Sequence, residues 1–230
     1  ILNKLGEELK SFNQNFEKIE QISIKLGLAK KKYEECCTIL SQERKKVAKI
    51  LQEKINIELS PLKLEGAFFH VNIRDKEKQK WSADGADTIN FLVRLNKGSN
   101  EGEIHKVSSG GELSRLMLAI NLVIAQSINR KTLIFDEVDS GVSGAVSEAI
   151  GIRLLDLSNY QQVFTVTHLP QVASRGNKHF IAIKNERDGV TYTSVKELSE
   201  KERADEIAKM ISGNIVTEEA IMLSNKLLKK

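Results

Sequence analysis

The sequence predicts an α/β domain with parallel strands, preceded by a long helical arm of coiled-coil type. Three features of the 230-residue chain carry this prediction. Apolar residues recur with a helical period over roughly the first 60 positions. A proline, Pro61, stands where that pattern stops. Further along, apolar segments follow one another in the order strand, helix, strand, which is the pattern of a parallel βαβ unit.

Composition and charge narrow the class of protein only modestly. The formal net charge of +4 is compatible with nucleic-acid binding without indicating it. The only two cysteines, Cys36 and Cys37, are neighbours on a predicted helix and cannot bridge, which fits a reducing, cytoplasmic compartment. No apolar run reaches membrane-spanning length and no secretory leader is visible, so we expect no membrane partner. Since the chain opens in mid-pattern on Ile1, we expect a fragment of a longer protein.

Residues 1–60 are predicted to form the coiled-coil arm. The first apolar positions step by three and four residues, as in an a/d seam: Leu2, Leu5, Leu9, Phe12, Phe16 and Ile19. The seam then slips to a second set: Ile22, Leu26, Ala29, Tyr33, Cys36 and Leu40. A slip beside Gly27 predicts a stammer or a break between two helices. Such a stripe needs a partner helix; the alternative is a helix lying on its own globular domain.

Residues 61–230 are predicted to form the α/β domain. "GAFFHVNIR" and "TINFLVRL" alternate as strands, with loops at "SADGAD" and "NKGSNEG". Helix periodicity returns from Glu112 to about Ile128, and again from Ala145 to about Leu157. "KTLIFDEVDSG" and "QQVFTVTHLP" each begin with a short strand that we expect to be buried.

The last third of the chain predicts a hairpin and two helices. "HFIAIKNERDGVTYTSV" is a hairpin that turns at Asp188-Gly189. Ser199 and Glu202 form a capping box for a helix that ends near Gly213. A final helix runs from about Glu218 to Leu228.

The first motif with chemistry is "VSSGGELSR", where an apolar helix begins. Ser109 and Glu112 fit a capping box, which explains two residues but neither glycine. Glycine in a first turn costs up to about 1 kcal/mol relative to alanine. Gly110 and Gly111 would instead let an anion such as phosphate reach the backbone N–H groups at the positive end of the helix. From these residues alone, a simple cap and a phosphate site stay equally open.

The second motif is the acidic end of the strand in "TLIFDEVDSG". Ligands bind at the carboxyl edge of open α/β sheets, where Asp136 and Glu137 are expected. Asp136 suits Mg²⁺, directly or through water, and Glu137 suits the role of a base for an attacking water. The alternative is a plain polar turn, continued by Asp139.

A histidine follows the next strand at the same predicted edge of the sheet. A lone histidine is more often structural, but His168 in "VTHLPQV" lies one strand along from the acids. A neutral imidazole there could donate to a phosphate oxygen or orient a water molecule.

Together, "SSGGELSR", "TLIFDEVDSGVSG" and "VTHLPQV" resemble the C-terminal half of an ABC-type ATPase head of the SMC-like class, and in particular its DNA-repair members. The resemblance implies a P-loop ATPase fold, ATP and Mg²⁺ as ligands, and a role in double-strand-break repair or recombination. It assigns a γ-phosphate-binding signature to five residues: Ser108, Ser109, Gly110, Gly111 and Glu112. It makes Asp136 the end of the Walker B strand, Glu137 the catalytic base, Asp139 the start of the D-loop and His168 the switch histidine.

The sequence departs from the family pattern in one motif, and this departure determines which partners we expect for the chain. No G-x-x-x-x-G-K-[ST] occurs, and "KGSNEG" lacks both the spacing and the Lys-Ser pair. The resemblance implies that the Walker A lysine lies in an N-terminal half beyond the coiled coil, so this chain alone should be inactive. It also implies that the signature closes over ATP held by a second, opposing head.

Three alternatives stay open. The chain could come from another chromosome-maintenance ATPase of the same class, or be a coiled-coil structural module without activity. A self-contained hydrolase using Glu137 and His168 is disfavoured because it lacks a nucleophile and a metal-ligand cluster.

DNA contact, if made by Lys30-Lys31-Lys32 or Arg44-Lys45-Lys46, should be salt-sensitive and independent of base sequence.

Overall fold

The computed structural model describes residues 2–106, 110–187, 190–213 and 215–229. The chain divides into two compact units. The first contains residues 1–50 with 71–90, and the second contains residues 51–70 with 91–230. By their contacts, residues 71–90 group with the N-terminal helix, while the domain bounds 1–60 and 61–230 stay a prediction.

The N-terminal arm is one α-helix, α1, which runs from Leu2 to Leu59 without interruption. Of the two alternatives at Gly27, the structure therefore excludes the break, while a stammer stays open. A single glycine reduces the stability of a long helix by only about 1 kcal/mol relative to alanine. The many other hydrogen bonds of the helix keep it intact despite this loss. The seam side chains that the structure describes in this part are exposed: Phe12, Phe16, Ile19, Ile22 and Leu26.

The apolar stripe of α1 rotates as the helix proceeds. Cys36 was placed on the stripe, but it is exposed, while Cys37 is buried. A straight helix completes one turn every 3.6 residues, whereas a heptad seam repeats every 3.5. The seam positions therefore shift gradually around a straight helix, which explains the difference. Tyr33 contacts Trp81 edge to face, with ring centroids 5.9 Å apart, and its hydroxyl donates to the carbonyl of Ser82 at 2.8 Å.

A buried carboxylate ties the 71–90 segment to the helix within the first unit. Asp87 accepts hydrogen bonds from Ser41 Oγ at 2.8 Å and from Arg44 Nη1 at 3.0 Å. Burial raises the pKa of Asp87, but these two hydrogen bonds and the charge of Arg44 outweigh it, so the pKa lies below the usual 3.8. Arg44 also donates to the carbonyl of Asp84.

The two strands predicted at the ends of this segment are confirmed. β1 is Phe68–Asp75 and β2 is Asp87–Arg94. With the short β3, Gly102–Glu103, they form a sheet in the order β1-β2-β3, in which β2 and β3 are antiparallel. Phe69, from β1, is fully buried and stacks on Phe91 at 5.7 Å.

The strand–helix–strand prediction is confirmed in the second unit. Helix α2 is Gly110–Ile124, β4 is Thr132–Phe135, α3 is Ala145–Ser158 and β5 is Gln162–Thr165. β4 and β5 are parallel, and Phe135 is in register with Thr165. A short helix, α4, covers Pro170–Ala173.

The β4–β5 pair differs from the prediction of buried strands. Its inward side chain Phe135 is 5% exposed, but Ile134 is 73% exposed and Phe164 is 46% exposed. An apolar run shows that both faces of a strand are apolar; it does not show that both are covered. The core behind the covered face contains fully buried residues of α2 and α3: Leu116, Leu118, Ile150 and Leu157.

The C-terminal elements match the prediction closely. β6, Phe180–Arg187, and β7, Val190–Glu197, pair antiparallel, while the predicted turn at 188–189 lies outside the described residues. Helix α5, Glu200–Ser212, begins at the Ser199–Glu202 capping box and ends at Gly213. Helix α6 is Glu218–Leu228. None of the described helices has the length and apolar character needed to cross a bilayer.

Candidate functional site

The candidate site lies in the second unit, at the carboxyl edge of the β4–β5 pair. The two strands end level with each other, and the N–H of Val166 donates to the carbonyl of Phe135 at 2.9 Å. Asp136 follows the last residue of β4, and His168 comes three residues after β5 ends. Parallel pairing therefore brings the acids and the histidine to one edge, as the sequence predicts.

Glu137 leaves this edge in an unusual conformation and meets the start of α2. Its φ of 56° is left-handed, a region that few residues with a side chain adopt. A Cβ built on Gly110 would lie 2.5 Å from Glu137 Oε2. The carboxylate thus occupies space beside the first turn of α2, where the positive end of the helix favours a negative charge.

The second glycine is needed for a different reason. Gly111 is buried, and a Cβ there would lie 3.1 Å from Ser140 Cβ and 3.2 Å from the carbonyl oxygen of Glu137. The backbone of the β4–α3 loop therefore packs directly on α2. The two glycines permit a close approach between a helix start and an acidic loop, which a simple cap does not require.

Sequence reasoning missed Arg115, one helical turn beyond Gly111. Arg115 is 6% exposed, and its Nη1 donates to the carbonyl of Ser140 at 2.9 Å. Its buried Nε has no hydrogen-bond partner among the described residues. Burial lowers the pKa of Arg115, and the charge of Glu112 partly opposes this effect. A cation on the buried face of an otherwise apolar helix was the available signal.

Asp139 holds the loop after β5 in place. It is 2% exposed and accepts hydrogen bonds from Thr167 Oγ1 and from the backbone N–H of His168, the latter at 3.3 Å. The Nδ1 atom of His168 lies 3.7 Å from the same carboxylate, while the side chain itself is 72% exposed. Thr167 was not predicted, although a hydroxyl beside a strand end is a common partner for a buried carboxylate.

The remaining predicted residues have simpler surroundings. Asp136 is exposed, and its backbone carbonyl accepts a hydrogen bond from Ser114 Oγ at 2.7 Å. Ser108 and Ser109 lie outside the described residues. Within the described ranges, no group of three or more His, Cys, Asp or Glu side chains is placed to hold a metal ion. The geometry thus brings Gly110 to Glu137 and His168 to Asp139, while the chemical roles of these residues stay predictions.

One of the two basic runs considered for DNA contact is engaged within the protein. Arg44 pairs with the buried Asp87 at 3.0 Å, and Lys45 lies 3.6 Å from Asp75. Lys46 pairs with Glu43 at 2.6 Å. Arg44 therefore has a structural role, and the charges of its two neighbours are partly neutralised by acids.

The long helix, the parallel strand pair and an α2 that begins beside the strand ends form a fold of the kind seen in Smc head domains. The fold is similar to a crystal structure of an Smc head domain with a coiled coil and joint from Pyrococcus yayanosii, with a TM-score of 0.53. The sequences are 18% identical, and the match covers 87% of this chain and 37% of that chain. No family model matches the sequence.

Two curated relatives narrow the class, and both are named DNA repair protein RecN. The one from Rickettsia conorii is 37% identical over 228 residues, which are 99% of this chain and 41% of the relative. The one from Rickettsia bellii is 41% identical over 189 residues, which are 82% of this chain and 34% of the relative. Over most of its length, the chain is thus similar to proteins named RecN, and it matches their C-terminal half. It spans at most 41% of the length of these two relatives.

Proposed function

We propose that this chain is the C-terminal half of an ATP-hydrolysing head of a DNA-repair protein. The observation that carries the proposal is the meeting of Glu137 with Gly110. It places an acidic strand end beside a glycine-rich helix start, which are the two features that phosphate binding and water activation require. The similarity to proteins named for DNA repair supports the biological setting.

The first turn of α2 is the proposed contact for a phosphate group. The positive end of the helix already attracts the Glu137 carboxylate, and a phosphate would take the place of that anion. Arg115 adds a buried positive charge behind the same turn. Ser108, Ser109 and Glu112 complete the signature that the family resemblance implies.

The acids at the end of β4 are the proposed reactive groups. Glu137 accepts the proton of a water molecule that attacks the γ-phosphate, and His168 donates to a phosphate oxygen. Mg²⁺ prefers oxygen ligands and keeps several waters, so Asp136 with phosphate oxygens suits it. The ion would neutralise charge on the triphosphate. Asp139 positions His168 through the backbone hydrogen bond at 3.3 Å.

The exposed face of the β4–β5 pair is the proposed contact for the N-terminal half of the same protein. Ile134 and Phe164 lie on this face, and Val166 just beyond β5 is 62% exposed. Covering these side chains would remove apolar surface from water at about 25 cal/mol per Å². The N-terminal half would also supply the Walker A lysine, so this chain alone should not hydrolyse ATP.

The phosphate that the signature contacts is proposed to belong to ATP bound by a second head. Ser109, Gly110 and Gly111 close over ATP bound by the opposing head, so ATP drives dimerisation and hydrolysis reopens the pair. A ligand held between two heads stabilises the closed state by mass action. The close approach permitted by the glycines suits a place where two protein surfaces and a triphosphate meet.

DNA is the proposed partner of the full-length protein, in the bacterial cytoplasm and associated with the nucleoid. The three lysines at 30–32 are exposed on α1 and suit contacts with phosphates rather than bases. Binding should therefore weaken steeply with salt and be similar for unrelated sequences.

Reconstitution tests the proposal directly. The chain is co-expressed with the N-terminal half of its protein, and ATP turnover is measured with and without DNA ends. The reconstituted head should hydrolyse ATP, whereas this chain alone should show neither turnover nor measurable ATP binding. Comparable turnover by this chain alone would favour a self-contained hydrolase and reject the proposal.

A further inference from the structure

A lysine just after the end of α1 has a left-handed backbone conformation, in which glycine is the usual residue. Lys63 has φ 59° and ψ 38°, immediately after the short 3₁₀ turn Ser60–Leu62 that follows α1. Among the described residues, only Lys63 and Glu137 are non-glycine residues with positive φ. A lysine there costs free energy that a glycine would avoid, but a glycine would lack the side-chain contact that Lys63 makes.

The side chain of Lys63 reaches the loop that follows the acidic strand end. Its Nζ donates to the carbonyl of Gly141 at 2.8 Å. Gly141 is two residues beyond the buried Asp139 and next to Ser140, whose carbonyl accepts from Arg115. The β4–α3 loop is thus held from both sides, by Lys63 and by α2.

The backbone of Lys63 is itself firmly anchored. Its neighbours Leu62 and Leu64 are 0% and 5% exposed. One residue before α1 ends, Glu58 accepts a hydrogen bond from Arg153 Nε of α3 at 2.7 Å. Two contacts from this one stretch of chain therefore reach the loop and the helix that follows it.

We infer that Lys63 is a positioning residue that fixes the β4–α3 loop, and with it Asp139 and the carbonyl of Ser140, in the geometry that hydrolysis requires. The inference rests on the proposed ATPase function. Lys63 touches no reacting atom; it acts through Gly141 and links the end of the long helix to the site loop.

The test uses the full-length protein and three substitutions with different consequences. Lys63→Gly removes the hydrogen bond and relieves the backbone strain, so thermal stability should be unchanged or higher. ATP turnover should nevertheless fall about three- to tenfold, the factor expected from one hydrogen bond of ordinary strength, while KM for ATP changes little. Lys63→Met should behave like Lys63→Gly in turnover, and Lys63→Arg should retain most of it. Lys97→Met, in an exposed loop, is the matched control.

Hydrogen exchange separates this inference from the proposed function. The N–H of Ser140 donates to the carbonyl of Glu137 at 3.0 Å, so its exchange reports on the loop. Lys63→Gly should accelerate exchange in residues 137–144 with or without any ATPase activity. Absence of ATP turnover in the unsubstituted protein would defeat the proposed function alone. Unchanged exchange in Lys63→Gly, or unchanged turnover where the unsubstituted protein is active, would overturn the role of Lys63.

Discussion

Glu137 and Gly110 are so close that the glycine can hold no side chain without moving the carboxylate. The point at which a Cβ on residue 110 would stand is 2.5 Å from Glu137 Oε2. This contact joins the start of α2 to the end of β4, which are 25 residues apart along the chain. The two motifs therefore lie against each other in the second unit.

Gly110→Ala should displace Glu137 with little loss of stability. The obstructing atom is the far end of a flexible side chain, and alanine is the better helix former, so the free energy of unfolding should change by less than about 1 kcal/mol. ATP turnover of the reconstituted head should fall about 100-fold if the displaced carboxylate is the general base. Thermal unfolding and steady-state turnover check the two parts of this prediction.

Gly111→Ala is the matched comparison and should behave differently. Here the new Cβ meets the backbone carbonyl of Glu137 at 3.2 Å and Ser140 Cβ at 3.1 Å, which cannot move independently of the loop. We expect a loss of about 1–3 kcal/mol, or several degrees in Tm. Equal stability of the Gly110→Ala and Gly111→Ala variants would contradict the packing described for this site.

Asp87 should anchor the 71–90 segment to α1 in the first unit. Asp87→Asn weakens the bond to Arg44 and leaves a partly buried guanidinium short of a partner, so we expect a local loss of about 1–3 kcal/mol. The only tryptophan, Trp81, lies in this segment, so its fluorescence can follow local unfolding. Asp84→Asn is the control, because Arg44 contacts only the backbone carbonyl of Asp84.

The same carboxylate predicts a pH dependence. Because the folded pKa of Asp87 lies below its usual 3.8, the ionised form is preferred in the folded state. Its contribution to stability should be complete above about pH 5 and should decline as the pH falls through the lowered folded value. Acid titration of Trp81 fluorescence should show this decline in the unsubstituted protein and a weaker one in Asp87→Asn.

The capping box of α5 should stabilise that helix and respond to acid. Ser199→Ala removes the bond to the N–H of Glu202 and should cost about 1 kcal/mol. Hydrogen bonds from Lys196 and Ser199 lower the pKa of Glu202 to about 2. The stabilisation by Glu202 should thus be complete above pH 4.5 and disappear between 4.5 and about 2. Hydrogen exchange in α5 measures both effects, and a pH-independent Glu202→Gln variant is the control.

The sequence predicts element types well because their signals are local. Periodicity and capping place α5 from Ser199 to Gly213, and alternation places β1 and β2. Parallel pairing then brings Glu137 and His168 to one edge, which follows from strand order alone. These features depend on residues near in sequence or on general rules of sheet topology.

The features that the sequence did not reveal depend on contacts between distant segments. Which face of β4 is covered depends on the rest of the assembly, so the exposure of Ile134 could not be read from an apolar run. The bond from Arg115 to Ser140 and that from Lys63 to Gly141 are set by three-dimensional packing. The continuity of α1 through Gly27 reflects the small cost of one glycine in a long helix.

The most direct test of the central claim is complementation between two inactive full-length proteins. Glu137→Gln should bind ATP and dimerise without hydrolysing it, and Ser109→Arg should bind ATP without closing productively. If Glu137 acts on ATP of its own head and the signature acts on ATP of the opposing head, a mixed pair contains one intact site. Random pairing should then restore about a quarter of the original turnover. If mixing restores no turnover although mixed pairs form, the signature does not act across the two heads and the account is wrong.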